Sequence, residues 1–352
     1  MPEEISPLKN RMKPFVKTAL VIAVGLVALS LLGLFGAQQL NAPLDSIPDD
    51  GALFRIWDGE HLEAISRRLA EEGLVRSPLF LKLLSYAKGT QGDFQAGTYR
   101  VDQGMTSLSI HNLLVSGQEV LIRVTIPEGW NVTQVGLRLE ERGITSAEEF
   151  YAAATDPLLL AAEGVYGQSV EGYLFPDTYL FPQSYPPQQV ASVMIERFRR
   201  EVAAIYPETA ELDPKALHEI VVLASIIERE HRAPDEAVIM ASVFYNRLEV
   251  DMKLQSCATV AYVMTEEFGL DFPEVLTFDD LELPSDYNTY RSVGLPPGPI
   301  ASPGSVSLAA AFNPAHTDFL YFVLKDPDAG RHEFTKSFDE HLTAKNLYLK
   351  KS

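Results

Sequence analysis

The hydrophobic and polar positions of the chain fall into distinct stretches, and the first is an uninterrupted apolar run near the start. Residues 18–37 carry no charged side chain. At 1.5 Å per residue, a helix of this length spans roughly 30 Å, the thickness of the hydrocarbon core of a bilayer. A cleaved signal peptide is the alternative, but its apolar segment is usually shorter, and Phe35 stands where a small residue should precede Gly36 and Ala37. We therefore predict an uncleaved transmembrane helix over residues 18–37.

The second stretch alternates between strand-like and helix-like patterns. Residues 38–51 are polar and contain Pro and Asp without a periodic apolar pattern, which is typical of a linker. After them, LFRIWDG alternates like a strand, and the apolar positions of the next segment follow helical spacing. The same motif returns in residues 120–143, VLIRVTIPEGWNVTQVGLRLEERG. This recurrence indicates an internal pseudo-repeat.

Further short elements lie between the two copies of the repeat. A predicted helix near residues 77–87 is followed by the segment FQAGTYRV and by a short predicted helix near residues 107–116. Small strand-helix-helix-strand units of this kind resemble LysM modules, which bind glycans rich in N-acetylglucosamine. A spacer domain is the alternative interpretation, since strand-turn-helix arrangements are common. We delimit this small LysM-like α/β module as residues 52–125.

The third stretch, residues 126–352, has mostly helical patterns with short strands, so the whole chain is predicted to be an α+β protein. Two segments rich in Tyr, Pro, Asn and Gly interrupt the helices, EGYLFPDTYLFPQSYPP and SDYNTYRSVGLPPGPIASPG. Loops that a rigid scaffold presents often carry function. Aromatic rings beside amide side chains are also suited to sugar binding, because a ring offers a flat face and an amide offers fixed hydrogen bonds.

The most apolar helix outside the membrane segment is predicted for residues 215–230, KALHEIVVLASIIERE. Its apolar positions, at alternating spacings of four and three, end at Glu230, so this carboxyl group should be partly desolvated. Desolvation raises the pKa of a carboxyl group and keeps a proton available for a leaving oxygen. A structural ion pair with Arg232 or with the arginine of the next helix is the alternative for Glu230. Glu228, on a lesser apolar stripe, has three candidate ion-pair partners: Arg229, Arg232 and Arg247.

The distribution of charge indicates a topology and argues against one class of partner. The formal net charge is −19, yet Lys9, Arg11, Lys13 and Lys17 all precede the apolar run. Basic residues accumulate on the cytoplasmic side of a membrane helix, so we expect residues 1–17 in the cytoplasm and the remainder outside it. Because an acidic body repels phosphate backbones, we expect no binding of nucleic acid.

The single cysteine, Cys257, excludes an intramolecular disulfide and a zinc site built on cysteines. In an exported domain we expect this thiol to be buried. The pair His218-Glu219 lacks the second histidine of a zinc peptidase motif. No residue pattern around His218, His316 or His332 supports a Cys-His hydrolase. We therefore predict neither a metal nor a cofactor.

Several ordered blocks of sequence are similar to those of one known family. They are ASIIEREH, ASVFYNRL, KLQSCATVAY, DYNTYRSVGLPPGPIASPG and AAFNPAHTDFLYFV, with QAGTYRV, TIPEGW and EGYLFPDTY upstream. These blocks resemble the signature blocks of the endolytic murein transglycosylases (MltG, or YceG-like proteins), and the resemblance extends from the anchor to His332. The chain departs from the family pattern at Ser256-Cys257-Ala258, where many members have Asp-Pro, and at His231, where a small residue or Thr is commoner.

The resemblance implies an activity and a catalytic residue. Members of the family cleave the glycan strands of peptidoglycan internally, between N-acetylmuramic acid and N-acetylglucosamine, and leave a 1,6-anhydromuramoyl end. Their catalytic glutamate is the second acid of an E-[KR]-E motif, which corresponds to Glu230, the residue that the helix pattern also selects. The implied mechanism uses Glu230 first as an acid and then as a base.

The resemblance also implies a catalytic domain over residues 126–352 and a glycan groove near its catalytic glutamate. We expect the groove to be lined by Gln255, Tyr287, Asn288 and Tyr290, since amides and rings at such density are unusual in a connector. The expected partners are peptidoglycan glycan strands, a membrane through one N-terminal helix, and peptidoglycan synthases, whose strand elongation the enzyme would terminate.

Two rival functions stay open at this point. A hydrolytic muramidase would cut the same bond with the help of a second carboxylate and would leave reducing ends. A membrane-anchored peptidoglycan-binding protein without catalysis would use only the LysM-like module and the aromatic loops, with Glu230 in a structural role. The chemical nature of the ends made on purified strands separates these functions.

Overall fold

The computed structural model describes residues 14–271 and 276–348. The chain divides into two compact units, Met1–Val120 and Leu121–Ser352. This division lies earlier than the one predicted after residue 125, because the strand Leu121–Thr125 pairs with a strand of the second unit. The first unit combines helices with one antiparallel strand pair and the second unit combines helices with two, which confirms the α+β class.

The first unit begins with the long apolar helix α1 (Pro14–Asn41). Among the described residues, its segment Thr18–Asn41 is the one helix long and apolar enough to cross a membrane. Its apolar side chains are exposed, an arrangement that is favourable in a lipid environment. The helix extends past the predicted end at Ala37 into the predicted linker. Asn41 ties its end to the unit, since the Asn41 side chain accepts a 2.8 Å hydrogen bond from Leu108 N.

The rest of the first unit has the predicted strand-helix-helix-strand order, followed by one more helix. Its elements are β1 (Ala52–Ile56), α2 (Leu62–Glu71), α3 (Pro78–Lys88), β2 (Gly97–Val101) and α4 (Ser107–Ser116). Strands β1 and β2 are antiparallel, with Phe54 opposite Tyr99. Both rings are fully buried and pack with Ile65, Leu69 and Leu81 from the two helices.

The helix ends of this unit follow from the local sequence. Ser77 caps α3 by accepting a backbone hydrogen bond, and Pro78 suits the first turn because the N–H that it lacks would have no partner there. Gly89 ends α3 in the left-handed conformation, which a residue without a side chain adopts at low cost. Thr106 and Ser109 form a capping box at the start of α4.

The second unit opens with the same order of elements apart from one additional short helix, in agreement with the predicted internal repeat. These elements are β3 (Leu121–Thr125), α5 (Val132–Glu141), α6 (Ala147–Ala154), the short α7 (Pro157–Ala162) and β4 (Thr178–Pro182), which pairs with β3. Asn131 and Ser146 form capping boxes at the starts of α5 and α6. Gly143, with φ of +67°, follows α5 as Gly73, with φ of +72°, follows α2.

The remaining elements form a helical body and a C-terminal hairpin. They are α8 (Pro187–Ile205), α9 (Pro214–Glu230), α10 (Ala237–Glu249), α11 (Cys257–Tyr262), α12 (Ser305–Phe312), β5 (Tyr321–Asp326), β6 (Arg331–Thr335) and α13 (Phe338–Tyr348), with 3-10 turns at Pro207–Glu211, Pro234–Glu236 and Asp280–Glu282. Helix α9 contacts α10, α11 and α12. Its buried side chains join the core that extends from β3 to α12. A π-helical turn, Val263–Glu267, continues α11.

Candidate active site around Glu230

The end of α9 is the first part of the site. Asp213 caps the start of this helix by accepting a 3.1 Å hydrogen bond from Lys215 N, with Pro214 in the first turn. Ile227 is fully buried, and Glu230 is the last helical residue. The helix ends there because His231 adopts an extended conformation. Glu230 therefore lies where the buried helix meets the loops that follow it.

The Glu230 carboxyl group is half-buried and accepts two hydrogen bonds. Ser256 Oγ donates to Glu230 Oε1 over 2.5 Å, and the backbone N–H of Ala258 donates to the same carboxyl group. Burial raises the pKa of Glu230, and these hydrogen bonds, together with His332 and Arg229 nearby, only partly oppose the increase. This is the desolvated carboxyl group that the apolar stripe predicts. Its hydrogen-bond partners are a hydroxyl and a backbone amide rather than Arg232.

Glu228, two residues earlier, has a structural environment instead. Its Oε2 accepts hydrogen bonds from Gly304 N over 3.0 Å and from Ser307 Oγ over 2.8 Å. Burial acts to raise the pKa of Glu228, but His231 nearby and these two hydrogen bonds outweigh it, and the pKa is lowered. The ionised carboxylate therefore stabilises the N-terminus of α12. These contacts, rather than the ion pairs considered from the sequence, hold Glu228 in place.

The segment between α10 and α11 brings Ser256 to the site. The buried Arg247 donates from Nη1 to Leu254 O and from Nε to Leu320 O, each over 2.7 Å. These bonds fix the backbone immediately before Gln255, whose φ is +50°. Non-glycine residues rarely adopt this left-handed conformation, and it persists where the surroundings hold it, often at functional sites. The Gln255 side chain is exposed beside the site.

The loop that contains Tyr290 is joined to this segment by hydrogen bonds. Thr289 Oγ1 accepts from Ser256 N over 3.0 Å, and Thr289 O accepts from Gln255 N over 3.1 Å. The Tyr290 hydroxyl lies 3.2 Å from Cys257 Sγ, at the start of α11. Of the predicted groove residues, Gln255 and Tyr290 thus lie on the two joined loops that flank Ser256.

Asn288, also predicted to line the groove, is instead a residue of the loop interior. It is fully buried, and its Nδ2 donates to Leu281 O over 3.0 Å and to Leu283 O over 2.9 Å. Its Oδ1 accepts from Tyr290 N over 3.0 Å. Because its amide is used within the loop, we expect Asn288 to act through the conformation of the loop. A direct contact of Asn288 with glycan stays a prediction.

Tyr287, the remaining predicted groove residue, is half-buried and faces a different part of the surface. Its ring lies 5.1 Å from the ring of Tyr262, centroid to centroid. Both rings line a cavity of about 470 Å³ together with the buried Glu171, and we call it the Glu171 cavity. A smaller depression of about 180 Å³ shares Tyr262 with it and is also lined by Arg229 and Ala258, which flank Glu230. The two spaces adjoin, because they share Tyr262, Thr265 and Glu266.

Cys257 is exposed, so the expectation that this thiol is buried was wrong. The reason is its position as the first residue of α11, whose other side buries Thr259 and Val260. His332 Nδ1 lies 2.9 Å from Glu236 Oε2, so this histidine is held by a partner of its own. Within residues 14–271 and 276–348, no group of three or more His, Cys, Asp or Glu side chains could hold a metal ion.

Comparison with known proteins assigns the chain to a family. The YceG-like family model matches residues 54–347, which includes both loops and the end of α9. The chain belongs to the YceG-like family. A protein of Bacillus subtilis (strain 168) named endolytic murein transglycosylase is 31% identical over 332 residues, covering 90% of this chain and 89% of that protein.

Two further relatives of this YceG-like chain extend the comparison. A protein of Streptococcus pneumoniae (strain ATCC BAA-255 / R6), also named endolytic murein transglycosylase, is 28% identical over 362 residues, covering 94% of this chain and 64% of that longer protein. The 2.6 Å crystal structure of a yceG-like protein from Listeria monocytogenes matches with a TM-score of 0.56 and 28% identity. That match covers 84% of this chain and 99% of the Listeria chain.

The contacts of several polar groups in this YceG-like chain were not predicted from the sequence. Arg247 lies in the block ASVFYNRL, where a single basic residue near the end of an apolar helix was the available signal. Glu236 and His332 pair across a long stretch of chain, which no local pattern reveals. Glu171 begins the block EGYLFPDTY and is an acid directly ahead of buried apolar residues, which was a signal of its burial.

Proposed function

We propose that the protein is a lytic transglycosylase that cleaves peptidoglycan glycan strands internally, between N-acetylmuramic acid and N-acetylglucosamine. The observation that carries the proposal is the Glu230 carboxyl group, which ends a buried helix, accepts hydrogen bonds from Ser256 Oγ and Ala258 N–H, and has a pKa raised by burial. Membership of the YceG-like family and relatives named endolytic murein transglycosylase support it. The proposed catalytic unit extends from Leu121 toward the C-terminus.

In the first step Glu230 acts as an acid. Because burial raises its pKa, the carboxyl group keeps a proton at a pH where an exposed glutamate has lost it. This proton passes to the glycosidic oxygen, the bond between that oxygen and C1 of the muramoyl unit breaks, and the N-acetylglucosamine side leaves with a new hydroxyl group.

In the second step the resulting Glu230 carboxylate acts as a base. It accepts the proton of the C6 hydroxyl of the muramoyl unit, whose oxygen attacks C1 of the same sugar and closes the 1,6-anhydro ring. Glu230 regains the proton that it gave, and no water is consumed. The hydrogen bonds from Ser256 Oγ and Ala258 N–H favour the carboxylate, so they support the site between the two steps.

A hydrolytic muramidase would need a second carboxylate to act as nucleophile or to activate water. Glu228 is the acid nearest to Glu230 in sequence, but its Oε2 is engaged by Gly304 and Ser307 at the start of α12. An oxygen with two such donors is a weaker base and a weaker nucleophile. This arrangement argues against Glu228 as the second carboxylate of a hydrolase.

We place the glycan strand along the joined loops beside Glu230. Gln255, exposed and held in a left-handed conformation, offers an amide to sugar hydroxyls. Tyr290 offers a half-buried ring. Tyr287 contributes farther along, at the Glu171 cavity. Asn288 contributes indirectly, because it fixes the loop that carries Tyr290.

The first unit supports a separate binding role, in line with its LysM-like order of elements. A cavity of about 320 Å³ lies between the loop after β1 and the loop before β2, and Trp57 and Phe94 are among its lining residues. Trp57 is exposed, and the Arg55 guanidinium lies 4.1 Å from its ring centroid. Exposed aromatic rings beside a cavity suit the face of a pyranose. We propose that this cavity binds the glycan; in the full-length protein, Trp57→Ala should then weaken retention on strands while the cleavage step is preserved.

The apolar helix α1 supports a single membrane crossing with the N-terminus in the cytoplasm and the catalytic unit outside. In that position the enzyme meets strands as they are made. A peptidoglycan synthase, which supplies nascent strands, is the protein partner that we propose. Co-purification of the full-length protein with a synthase from detergent-solubilised membranes tests this partnership.

Mass spectrometry of the products tests the proposed reaction. The part from Gln38 to Ser352 is incubated with purified uncrosslinked glycan strands, and the new ends are identified by mass. A 1,6-anhydro end is about 18 Da lighter than a reducing end, because no water is added in the two steps. Such ends support the proposal. Reducing ends would establish a muramidase, and intact strands that are bound but not cut would establish a binding protein.

A further inference from the structure

Glu171 is a buried carboxyl group that the mechanism above leaves unused. It lies between α7 and β4 and is 5% exposed. Its Oε2 accepts a 3.0 Å hydrogen bond from Val132 N, in the first turn of α5. Its Oε1 is buried and has no hydrogen-bond partner among the described residues. Buried polar atoms without a partner are uncommon in folded proteins, so a group on a ligand is a natural partner for this oxygen.

The Glu171 cavity is suited to one sugar unit. Its volume of about 470 Å³ is within the usual range of small-molecule sites, roughly 300–1,000 Å³. Tyr262 and Tyr287 provide two half-buried rings on its wall, tilted at 37° to each other. Thr155 and Ser169 add hydroxyl groups. The cavity therefore offers flat apolar faces beside groups that can bond to hydroxyls and amides.

Acidic and phenolic groups surround Glu171, and none of the described residues that line the cavity is basic. Glu266 is engaged, because it accepts from Asn131 Nδ2 over 2.7 Å and from Thr133 Oγ1 over 2.6 Å. Glu267 is exposed at the cavity, and the phenols are those of Tyr151, Tyr262 and Tyr287.

Burial is the main cause that raises the pKa of Glu171 to about 8, and the nearby Glu266 adds to the increase, against hydrogen bonds from the Val132 and Gly172 backbone. At neutral pH the carboxyl group accordingly keeps its proton. A protonated carboxyl group is a hydrogen-bond donor, so it needs an acceptor on the ligand. A cationic ligand would instead need the ionised form.

The cavity is also in the right place for a strand held at Glu230. It shares Tyr262, Thr265 and Glu266 with the depression lined by Ala258, whose backbone N–H bonds to the Glu230 carboxyl group. Ala258 thus links the Glu230 carboxyl group to the space next to the Glu171 cavity, so a further sugar unit of a strand bound at Glu230 can occupy this cavity. The strongest neutral acceptor on an N-acetylated sugar is the carbonyl oxygen of its acetamido group.

We propose that Glu171 binds substrate by donating a hydrogen bond from Oε1 to the acetamido carbonyl oxygen of a sugar unit in the Glu171 cavity. This inference rests on the proposed function, because it takes the occupant to be part of the same glycan strand. It assigns to Glu171 a role in binding and alignment, while Glu230 performs the proton transfers.

Equilibrium binding tests the proposal. The dissociation constant for purified uncrosslinked glycan strands is measured between pH 6 and pH 9 in a Glu230→Gln background, which removes turnover and the titration of that site. With Glu171 present, the constant should rise about tenfold between pH 7 and pH 9 as a donor of pKa about 8 is lost. Glu171→Gln keeps a donor and the bond from Val132, so its dissociation constant should stay constant over this range.

Glu267→Gln is the matched control, since it removes a charge from the same cavity and leaves Glu171 in place. In this control variant the dissociation constant should still rise as the pH increases from 7 to 9. The proposal would be overturned if the dissociation constant still rises with pH in Glu171→Gln. It would also be overturned if the dissociation constant of the protein with Glu171 does not change with pH. If strands bind with this pH dependence but the wild-type protein makes no anhydro ends, the proposed reaction is contradicted and the role of Glu171 in binding is not. If no strand binds at any pH, the proposed reaction and the role of Glu171 are both contradicted.

A second measurement needs no substitution of Glu171. The Glu171 carboxyl carbon, enriched in ¹³C, is titrated by NMR in the Glu230→Gln protein with and without bound strands. An acceptor on the ligand favours the protonated form, so binding should raise the pKa of Glu171. A decrease would indicate a cationic group in the cavity and would overturn the acetamido assignment, and so would an unchanged pKa.

Discussion

Ser256 Oγ donates a 2.5 Å hydrogen bond to Glu230 Oε1 and thereby joins the start of α11 to the end of α9. Two opposing effects act on this carboxyl group, because burial raises the pKa of Glu230 and the hydrogen bond from Ser256 lowers it. Such a balance suits the proposed role of Glu230, in which the carboxyl group gives up a proton and then accepts one. The balance depends on the positions of two loops and not on the helix alone.

Glu230→Gln is the first test of this site. The amide keeps the shape of the side chain but has no titratable proton, so both proton transfers lose their agent. We expect turnover to fall by about 10²–10⁴ or more, with folding retained. Release of anhydro ends from purified strands measures turnover, and thermal unfolding measures stability. Near-normal production of anhydro ends would reverse the assignment of Glu230.

Glu228→Gln is the matched control for that change, on the same turn of helix. Its carboxylate accepts hydrogen bonds from Gly304 N and Ser307 Oγ, and an amide oxygen accepts them more weakly. We expect a loss of about 1–2 kcal/mol in the free energy of unfolding and substantial remaining activity. Loss of activity with unchanged stability would instead place Glu228 in the reaction.

Ser256→Ala should change the pH dependence of the reaction. Removal of the hydroxyl removes a hydrogen bond that favours the Glu230 carboxylate, so the pKa of Glu230 should rise further. Because the first step needs the protonated form, activity should persist to higher pH than in the wild type. The profile of kcat against pH measures this, and an alkaline limb that stays in place or moves to lower pH would argue against the contact as a determinant of the pKa.

The parts of this structure that follow local rules could be predicted from the sequence. The apolar stripe of α9 leads to Glu230 because helical periodicity alone decides which side chains share a face. The repeat could be found because both copies use a strand, a capped helix and a glycine in the left-handed conformation, such as Gly73 and Gly143.

The parts that depend on contacts between distant segments could not be predicted. Asn288 has the residue type of a sugar-binding side chain, yet its amide is used by backbone groups of its own loop. Cys257 is exposed because of how α11 packs, and composition carries no information on that packing. Glu171 acquires its raised pKa from a cavity built by several elements, so its sequence neighbours alone do not reveal it.

Glu171→Gln should make stability less dependent on pH. The pKa of Glu171 is raised in the folded state to about 8 from an ordinary value of 4.5, so between these values the folded protein binds a proton that the unfolded chain has released. The wild type must therefore lose stability as pH rises through this range, by up to about 1.4 kcal/mol per pH unit. In urea unfolding at pH 5, 6, 7 and 8, the free energy of unfolding of the variant relative to the wild type should increase at each step in pH. A constant difference between the two proteins would mean that Glu171 ionises normally in the folded state.

The topology has its own test. Four basic residues precede the apolar run of residues 18–37, Lys9, Arg11, Lys13 and Lys17, so the C-terminus should lie outside the cytoplasm. Alkaline phosphatase is active only outside the cytoplasm, so this enzyme should be active in cells when it is fused after Ser352. A fluorescent protein that matures only in the cytoplasm, fused at the same point, should stay dark; the reverse pair of results would invert the assigned orientation.

Two amide side chains on the joined loops should respond in opposite ways to removal. Gln255 is exposed beside Ser256, so Gln255→Ala should lower turnover on glycan strands while the melting temperature stays nearly the same. Asn288 is fully buried, and Asn288→Ala leaves the carbonyls of Leu281 and Leu283 without donors, so it should lower the free energy of unfolding by about 1–3 kcal/mol. Measuring KM, kcat and the melting temperature of both variants separates binding from loop conformation. Loss of stability in Gln255→Ala with normal specific activity would return Gln255 to a structural role, and a stable Asn288→Ala protein with weakened glycan binding would restore Asn288 to the groove.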